Sequence, residues 1–204
     1  MMMPEDRTAL VRLYEDRFRE MGEDIRTLGW KNREEQNLRF KILCDVGDLR
    51  GASVCDVGCG FGDLLDYLRS TVGKVQYTGI DIAPSLLERA REKHPDVRFH
   101  CLNLADEAFD EEHDYFLLSG ALSYKVADNM ALTERMLRRM FQLCRKGVAV
   151  NFLSAYVNYK HERNYHYAPE EMMRLAKRLT TWVRLRHDYP LWEFPLYLFK
   201  EAQS

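Results

Sequence analysis

The apolar positions of this chain change period near residue 50. Before it, Leu10, Leu13, Tyr14 and Phe18 recur at three- and four-residue steps among charges, the spacing of an amphipathic helix. Gly22 and Gly29 interrupt that pattern. Residues 32–46 predict a second helix, with Leu38, Ile42, Leu43 and Val46 on one side. From residue 53 onward, short apolar runs alternate with helical periods. Strands are predicted over 53–57, 75–82, 97–102, 114–119 and 148–153, and helices over 61–72, 84–94 and 129–144. Pro84 suits a first helical turn, and Gly147 after Arg145 and Lys146 reads as a helix C-terminal signal. Such alternation predicts a parallel sheet covered on both faces.

The tail departs from that scheme. Residues 169–179 predict one more helix, opened by Pro169, Glu170 and Glu171. The strand-like runs 182–189 and 193–200 are separated only by 190–192, too little chain for a parallel crossover. They predict an antiparallel hairpin. No repeat or linker divides the chain, so a single domain over 1–204 is expected, with a helical N-terminal cap over 1–50 and an α/β core over 51–204.

Composition narrows the partners. A chain of 204 residues, 46% hydrophobic, can bury one substantial core. A net charge of −2 argues against nucleic acid as the main partner, though a local RNA-binding patch stays open. No run of about eighteen apolar residues is present, so no membrane span is expected. The charged start after Met1-Met2-Met3-Pro4 is unlike a signal peptide, and a cytoplasmic protein is expected. Cys44, Cys55, Cys59, Cys101 and Cys144 form no CxxC pair and read as reduced core thiols; no metal is expected.

The chemistry concentrates at Val54-Cys55-Asp56-Val57-Gly58-Cys59-Gly60-Phe61-Gly62, a buried strand running into a glycine turn and a helix start. Glycines let the backbone reverse and approach a ligand with no Cβ in the way. In an open parallel sheet, ligands lie beyond the carboxyl ends of the strands. Candidates therefore gather at strand ends: Asp56 to Gly62, Asp81, Asn103 and Ser119. A carboxylate at Asp81 suits the two hydroxyls of a ribose, which fits a nicotinamide dinucleotide or S-adenosylmethionine equally. Three details separate them. The loop is G-x-G-x-G, where the dinucleotide fingerprint is G-x-G-x-x-G. A pyrophosphate is poorly served by Asp56, whereas an ammonium and a sulfonium tolerate carboxylates. The terminal hairpin is foreign to dehydrogenases.

Residues 54–62, with Tyr77-Thr78-Gly79-Ile80-Asp81-Ile82 after them, resemble the first two motifs of the class I S-adenosylmethionine-dependent methyltransferases. The resemblance covers about residues 53 to 153, and the tail hairpin matches the family's last two strands. It implies a Rossmann-like three-layer α/β sandwich with a seven-stranded, mostly parallel sheet of order 3-2-1-4-5-7-6. It also implies a methyl transfer that uses S-adenosylmethionine as cofactor. By similarity, Gly58, Cys59 and Gly60, with Asp56 before them, hold the methionine part, Asp81 takes the ribose, and Ile82 lines the adenine. Asn103 stands where relatives carry an Asp facing the adenine amino group, Leu104 follows it, and Ser119 flanks the methionine moiety. Gly29-Trp30 and residues 36–40 resemble a cap of small bacterial methyltransferases of unassigned substrate. That cap implies that Trp30 and Arg39 reach the cofactor, with Arg39 pairing the methionine carboxylate.

Such an enzyme mainly needs its acceptor held in line with the methyl group, about 3 Å away, and water excluded. The (D/N/S)PP(Y/F) motif of amino-methylating DNA enzymes is replaced here by Ser119-Gly120-Ala121-Leu122-Ser123-Tyr124, and no Pro-Cys nucleophile is present. A small-molecule acceptor with a nucleophilic oxygen or nitrogen is expected. RNA or protein, or a regulatory protein that binds cofactor without turnover, are the alternatives. The Tyr- and His-rich segment 156–167 follows the fifth strand on the ligand side. Tyr124, Tyr165 and His166 are the candidates for contact with the acceptor or for a general base.

Overall fold

The computed structural model describes residues 1–203. Two helices, α1 (Pro4–Met21) and α2 (Arg33–Cys44), precede the sheet. The alternating region gives β1 (Ser53–Val57), α3 (Asp63–Thr71), β2 (Gln76–Asp81), α4 (Pro84–Lys93), β3 (Arg98–Cys101), β4 (His113–Leu118), α5 (Asn129–Leu143) and β5 (Cys144–Leu153). After α6 (Pro169–Lys177) come β6 (Val183–Leu185) and β7 (Glu193–Phe199). The seven strands lie in the order β3-β2-β1-β4-β5-β7-β6. β1 pairs in parallel with β2 and β4, and β7 lies antiparallel between β5 and β6. This is the Rossmann-like sheet that the resemblance implies.

The central strands are buried on both faces, and their alternation divides the core in two. Phe116 and Leu118 of β4 join Met136, Leu137 and Met140 of α5 and Met172 of α6 on one face. Tyr115 and Leu117 join Phe40 and Leu43 of α2 and Leu64, Leu65 and Leu68 of α3 on the other. Among the described residues, no helix is long and apolar enough to cross a membrane.

Three boundaries differ from expectation. α3 begins at Asp63 because its N-cap, Gly62, is left-handed (φ 81°), which frees Phe61 to pack against Phe18. Gly147 does not end α5. The chain passes from Leu143 directly into β5, and Gly147 lies inside that strand opposite Phe199. A Cβ there would stand 3.1 Å from the Leu198 carbonyl oxygen and 3.3 Å from Val46. Close packing explains this glycine. β6 is shorter than expected because of Pro195. Arg186 donates its N–H to Pro195 O at 3.2 Å, but proline has no N–H to return, and the ladder stops at Leu185.

Candidate active site

At the carboxyl end of β1 the chain turns through Gly58 and Gly60, at φ 79° and 52°. Both are places for glycine on conformational and steric grounds alike. A Cβ on Gly58 would lie 2.5 Å from that of Ala121, and one on Gly60 2.8 Å from Leu28 Cδ2. The loop is fastened to β2: the N–H groups of Gly58 and Cys59 donate to Ile80 O at 2.7 and 3.0 Å. Asp81 continues the fastening. Its Oδ2 accepts from Gly60 N and its Oδ1 from Ala83 N, each at 2.9 Å. Each oxygen keeps a further lone pair, and the residue lies on a cavity wall. Burial pushes the Asp81 carboxyl above its ordinary range, against the N–H groups of Ala83, Gly60 and Ile82.

Asp56, on β1, is 2% exposed and accepts the Tyr77 hydroxyl at 2.6 Å. Burial raises its pKa to about 7; the Tyr77 hydrogen bond opposes the shift, and the neighbouring Asp81 and Asp63 add to it. A cation placed beside Asp56 restores its charge.

The helices before the sheet complete the wall. Asn32 caps α2 by accepting Glu35 N–H at 2.8 Å. Gln36 donates to Asp63, the first residue of α3, at 3.1 Å, and Arg33 and Lys93 also pair with that carboxylate, at 3.1 and 3.3 Å. One turn on, Arg39 is 9% exposed, with its guanidinium 4.6 Å from the Trp30 ring centre. Its Nε donates to Glu193 Oε1 at 2.6 Å, its Nη2 pairs with the same carboxylate, and its Nη1 has no partner. Glu193 Oε2 accepts from Asn151 Nδ2 at 2.7 Å, and Asn151 Oδ1 accepts from Gly120 N at 3.0 Å. The Ser119 hydroxyl beside it is buried and unpartnered.

One cavity joins these parts. Trp30, Arg39, Asp56, Gly58, Cys59, Gly60, Asp81, Ile82, Asn103, Leu104 and Ser119 all stand on its wall, and so does Tyr124. Asn103 is tied by Oδ1 to Ala105 N and by Nδ2 to Asp106 Oδ2, both at 3.1 Å, which leaves one acceptor lone pair on Oδ1. Tyr165 and His166 are not on that wall. The bridge between Tyr124 and Asn164 brings Asn164 to the cavity instead, while the Tyr165 ring packs 4.7 Å from that of Tyr167.

Several wall residues were not anticipated. Leu10 and Tyr14 come from α1, a helix with no fully buried residue. Their spacing of four on the apolar face of a predicted helix was the available signal. Arg17, on the same helix, donates to the Tyr124 hydroxyl at 2.6 Å. Gln36, Asp63 and Glu193 also line the cavity. For Glu193 the signal was a carboxylate opening an otherwise apolar strand.

The donors and acceptors fit the cofactor that the resemblance implies. Carboxylates at Asp56 and Asp81 suit an ammonium and a ribose, and two orphaned donors, Arg39 Nη1 and Ser119 Oγ, suit a carboxylate. A family model described as a methyltransferase domain matches residues 54–147. A Mycobacterium tuberculosis protein, whose name gives a methyltransferase without a substrate, is 32% identical over 160 residues, 74% of this chain and 94% of that protein. The malonyl-[acyl-carrier protein] O-methyltransferase of Acetivibrio thermocellus is 31% identical over 94 residues, 44% of this chain but only 33% of that enzyme. In fold, the chain resembles the magnesium protoporphyrin IX methyltransferase from Synechocystis PCC 6803 with bound SAH, at a TM-score of 0.66 and 16% identity, covering 96% of this chain and 100% of that one. The chain belongs to the class I S-adenosylmethionine-dependent methyltransferases, and S-adenosylmethionine is its cofactor.

Proposed function

We propose that this enzyme methylates a nucleophilic oxygen or nitrogen of a small molecule held between the glycine loop, α1 and Tyr124. The observation that carries the reading is one continuous cavity, which runs from the carboxyl ends of β1 and β2 to Leu10 and Tyr14 of the covering helix. When bound, the cofactor supplies an electrophilic methyl group on a sulfonium. Gly58 to Gly60 and Asp56 hold its methionine end, Asp81 its ribose, and Ile82, Asn103 and Leu104 its adenine. Arg39 and Ser119 take the carboxylate, with Trp30 stacked behind the guanidinium. The apolar side chains Leu10, Leu28 and Leu122 exclude water and leave the acceptor few ways to bind except in line. Tyr124 orients that acceptor. Its hydroxyl accepts from Arg17 and retains a hydrogen that it can donate to a ligand.

Charge beside the wall residues Tyr124 and Asn164 bears on the acceptor. Lys125, Lys160 and Arg163 are exposed on two adjoining loops, joined by the bond from Lys125 N to Arg163 O, with the exposed Glu162 among them. These cations favour an acceptor carrying a negative group. They are also what keeps RNA as a second reading.

One experiment separates the readings. The protein is incubated with S-adenosylmethionine labelled on the methyl group and a cell extract divided into a small-molecule filtrate and a macromolecular fraction. Label transferred within the filtrate is expected, and label on RNA or protein contradicts a small-molecule acceptor. S-adenosylhomocysteine binding with no label anywhere identifies a binding protein without turnover. With the labelled product in hand, Tyr124→Phe is expected to slow its formation about tenfold while cofactor affinity stays within about twofold.

A further inference from the structure

We infer that Glu193, on the C-terminal hairpin, is a positioning residue for the cofactor's carboxylate, acting through Arg39 on one side and the Gly120 loop on the other. The inference rests on the proposed role of Arg39. Glu193 is 3% exposed and stands between two donors that come from opposite directions. Arg39 Nε and Nη2 occupy Oε1, and Asn151 Nδ2 occupies Oε2. The Asn151 amide then has only its oxygen to offer Gly120 N–H, which it does at 3.0 Å. One carboxylate thus fixes the rotation of a guanidinium and the orientation of an amide.

The consequence falls on the groups left over. With Nε and Nη2 engaged and the Trp30 ring against the guanidinium, Nη1 is the remaining donor edge of Arg39, buried and unpartnered. At the other end of the chain of bonds, Gly120 adjoins Ser119, whose hydroxyl is also buried and unpartnered. Both residues line the cavity. A buried donor without a partner is unfavourable, and a ligand carboxylate bridging the two relieves both. Glu193 balances the Arg39 charge and Glu35 lies 3.8 Å from Nη2, so the site offers a ligand carboxylate directed donors rather than net positive charge. Only a residue with two acceptor oxygens fits this position. Glutamine would turn an N–H₂ group toward either Arg39 or Asn151, donor against donor.

The test compares two ligands in calorimetric titrations of the intact protein. S-adenosylhomocysteine carries the amino-acid carboxylate, and 5′-methylthioadenosine lacks it. Glu193→Gln is expected to weaken the first about tenfold and the second less than about twofold. Arg39→Ala should show the same selective loss, and the double variant should lose no more than Arg39→Ala alone. Equal weakening of both ligands in Glu193→Gln, or no weakening, overturns the inference. So does a loss that adds fully to that of Arg39→Ala. If the unaltered protein binds neither ligand, the proposed site itself fails. If it binds both ligands equally, the carboxylate role of Arg39 fails. Both variants break a buried ion pair and are expected to melt below the parent protein; a cooperative transition well above the titration temperature checks folding, and Glu193→Asp, which keeps two acceptors, is expected to recover part of the selectivity.

Discussion

At the scale of single residues, the site is organised by carboxylates in different states. Asp81 has both oxygens on backbone N–H groups and still lines the cavity, where charge-assisted bonds to two hydroxyls are strong. Replacing it with alanine is expected to weaken S-adenosylhomocysteine binding by about 1.5–3 kcal/mol in calorimetry. Unchanged affinity would remove Asp81 from the site. Asp56 makes a different prediction, about pH. Its pKa of about 7, against an ordinary 3.8, means that the folded protein keeps a proton which the unfolded chain has lost between those values. Its contribution to stability is therefore fully present below about pH 4 and is lost as pH rises toward 7. Asp56→Asn cannot titrate. The melting temperature of this variant, relative to the parent, is expected to climb as pH goes from about 4 to about 7. A difference that stays flat over that window contradicts the assignment.

At the scale of elements, each helix contributes through one face. α5 presses Leu137, fully buried, into the sheet. Leu137→Ala is expected to cost about 2–5 kcal/mol in urea unfolding. A loss well below 1 kcal/mol would mean that this helix packs elsewhere. These faces were legible in the sequence, because a period of 3.6 and short apolar runs are local properties. The glycine loop and Asp81 were legible too, since their spacing belongs to a motif. What escaped depends on partners distant in sequence. Gly147 looked like a helix stop because Arg145 and Lys146 precede it, yet its reason for being glycine is Leu198, about fifty residues on. The length of β6 turned on Pro195 in the facing strand. Tyr165 and His166 share the polar loop that supplies a wall residue, but only the bridge to Tyr124 selects Asn164.

At the scale of the whole molecule, the sheet order brings residues far apart in the chain to one edge. Asp56, Asp81, Asn103 and Ser119 lie at or just past the ends of β1, β2, β3 and β4, so that parallel strands deliver them side by side. Antiparallel β7 runs the other way and brings its first residue, Glu193, to that same edge beside Leu153. The hairpin is thus part of the site as well as the end of the sheet. Covering the edge are α1 and α2, held by Arg17 on Tyr124, Gln36 on Asp63 and Arg39 on Glu193. A ligand enclosed there binds the folded chain and not the unfolded one, and must raise its melting temperature. The most direct test is thermal unfolding with S-adenosylhomocysteine and, separately, with NAD(P)H. The melting temperature is expected to rise with S-adenosylhomocysteine, continuing with the logarithm of its concentration above Kd, and to stay fixed with NAD(P)H. A rise with NAD(P)H, or none with S-adenosylhomocysteine, would contradict the account.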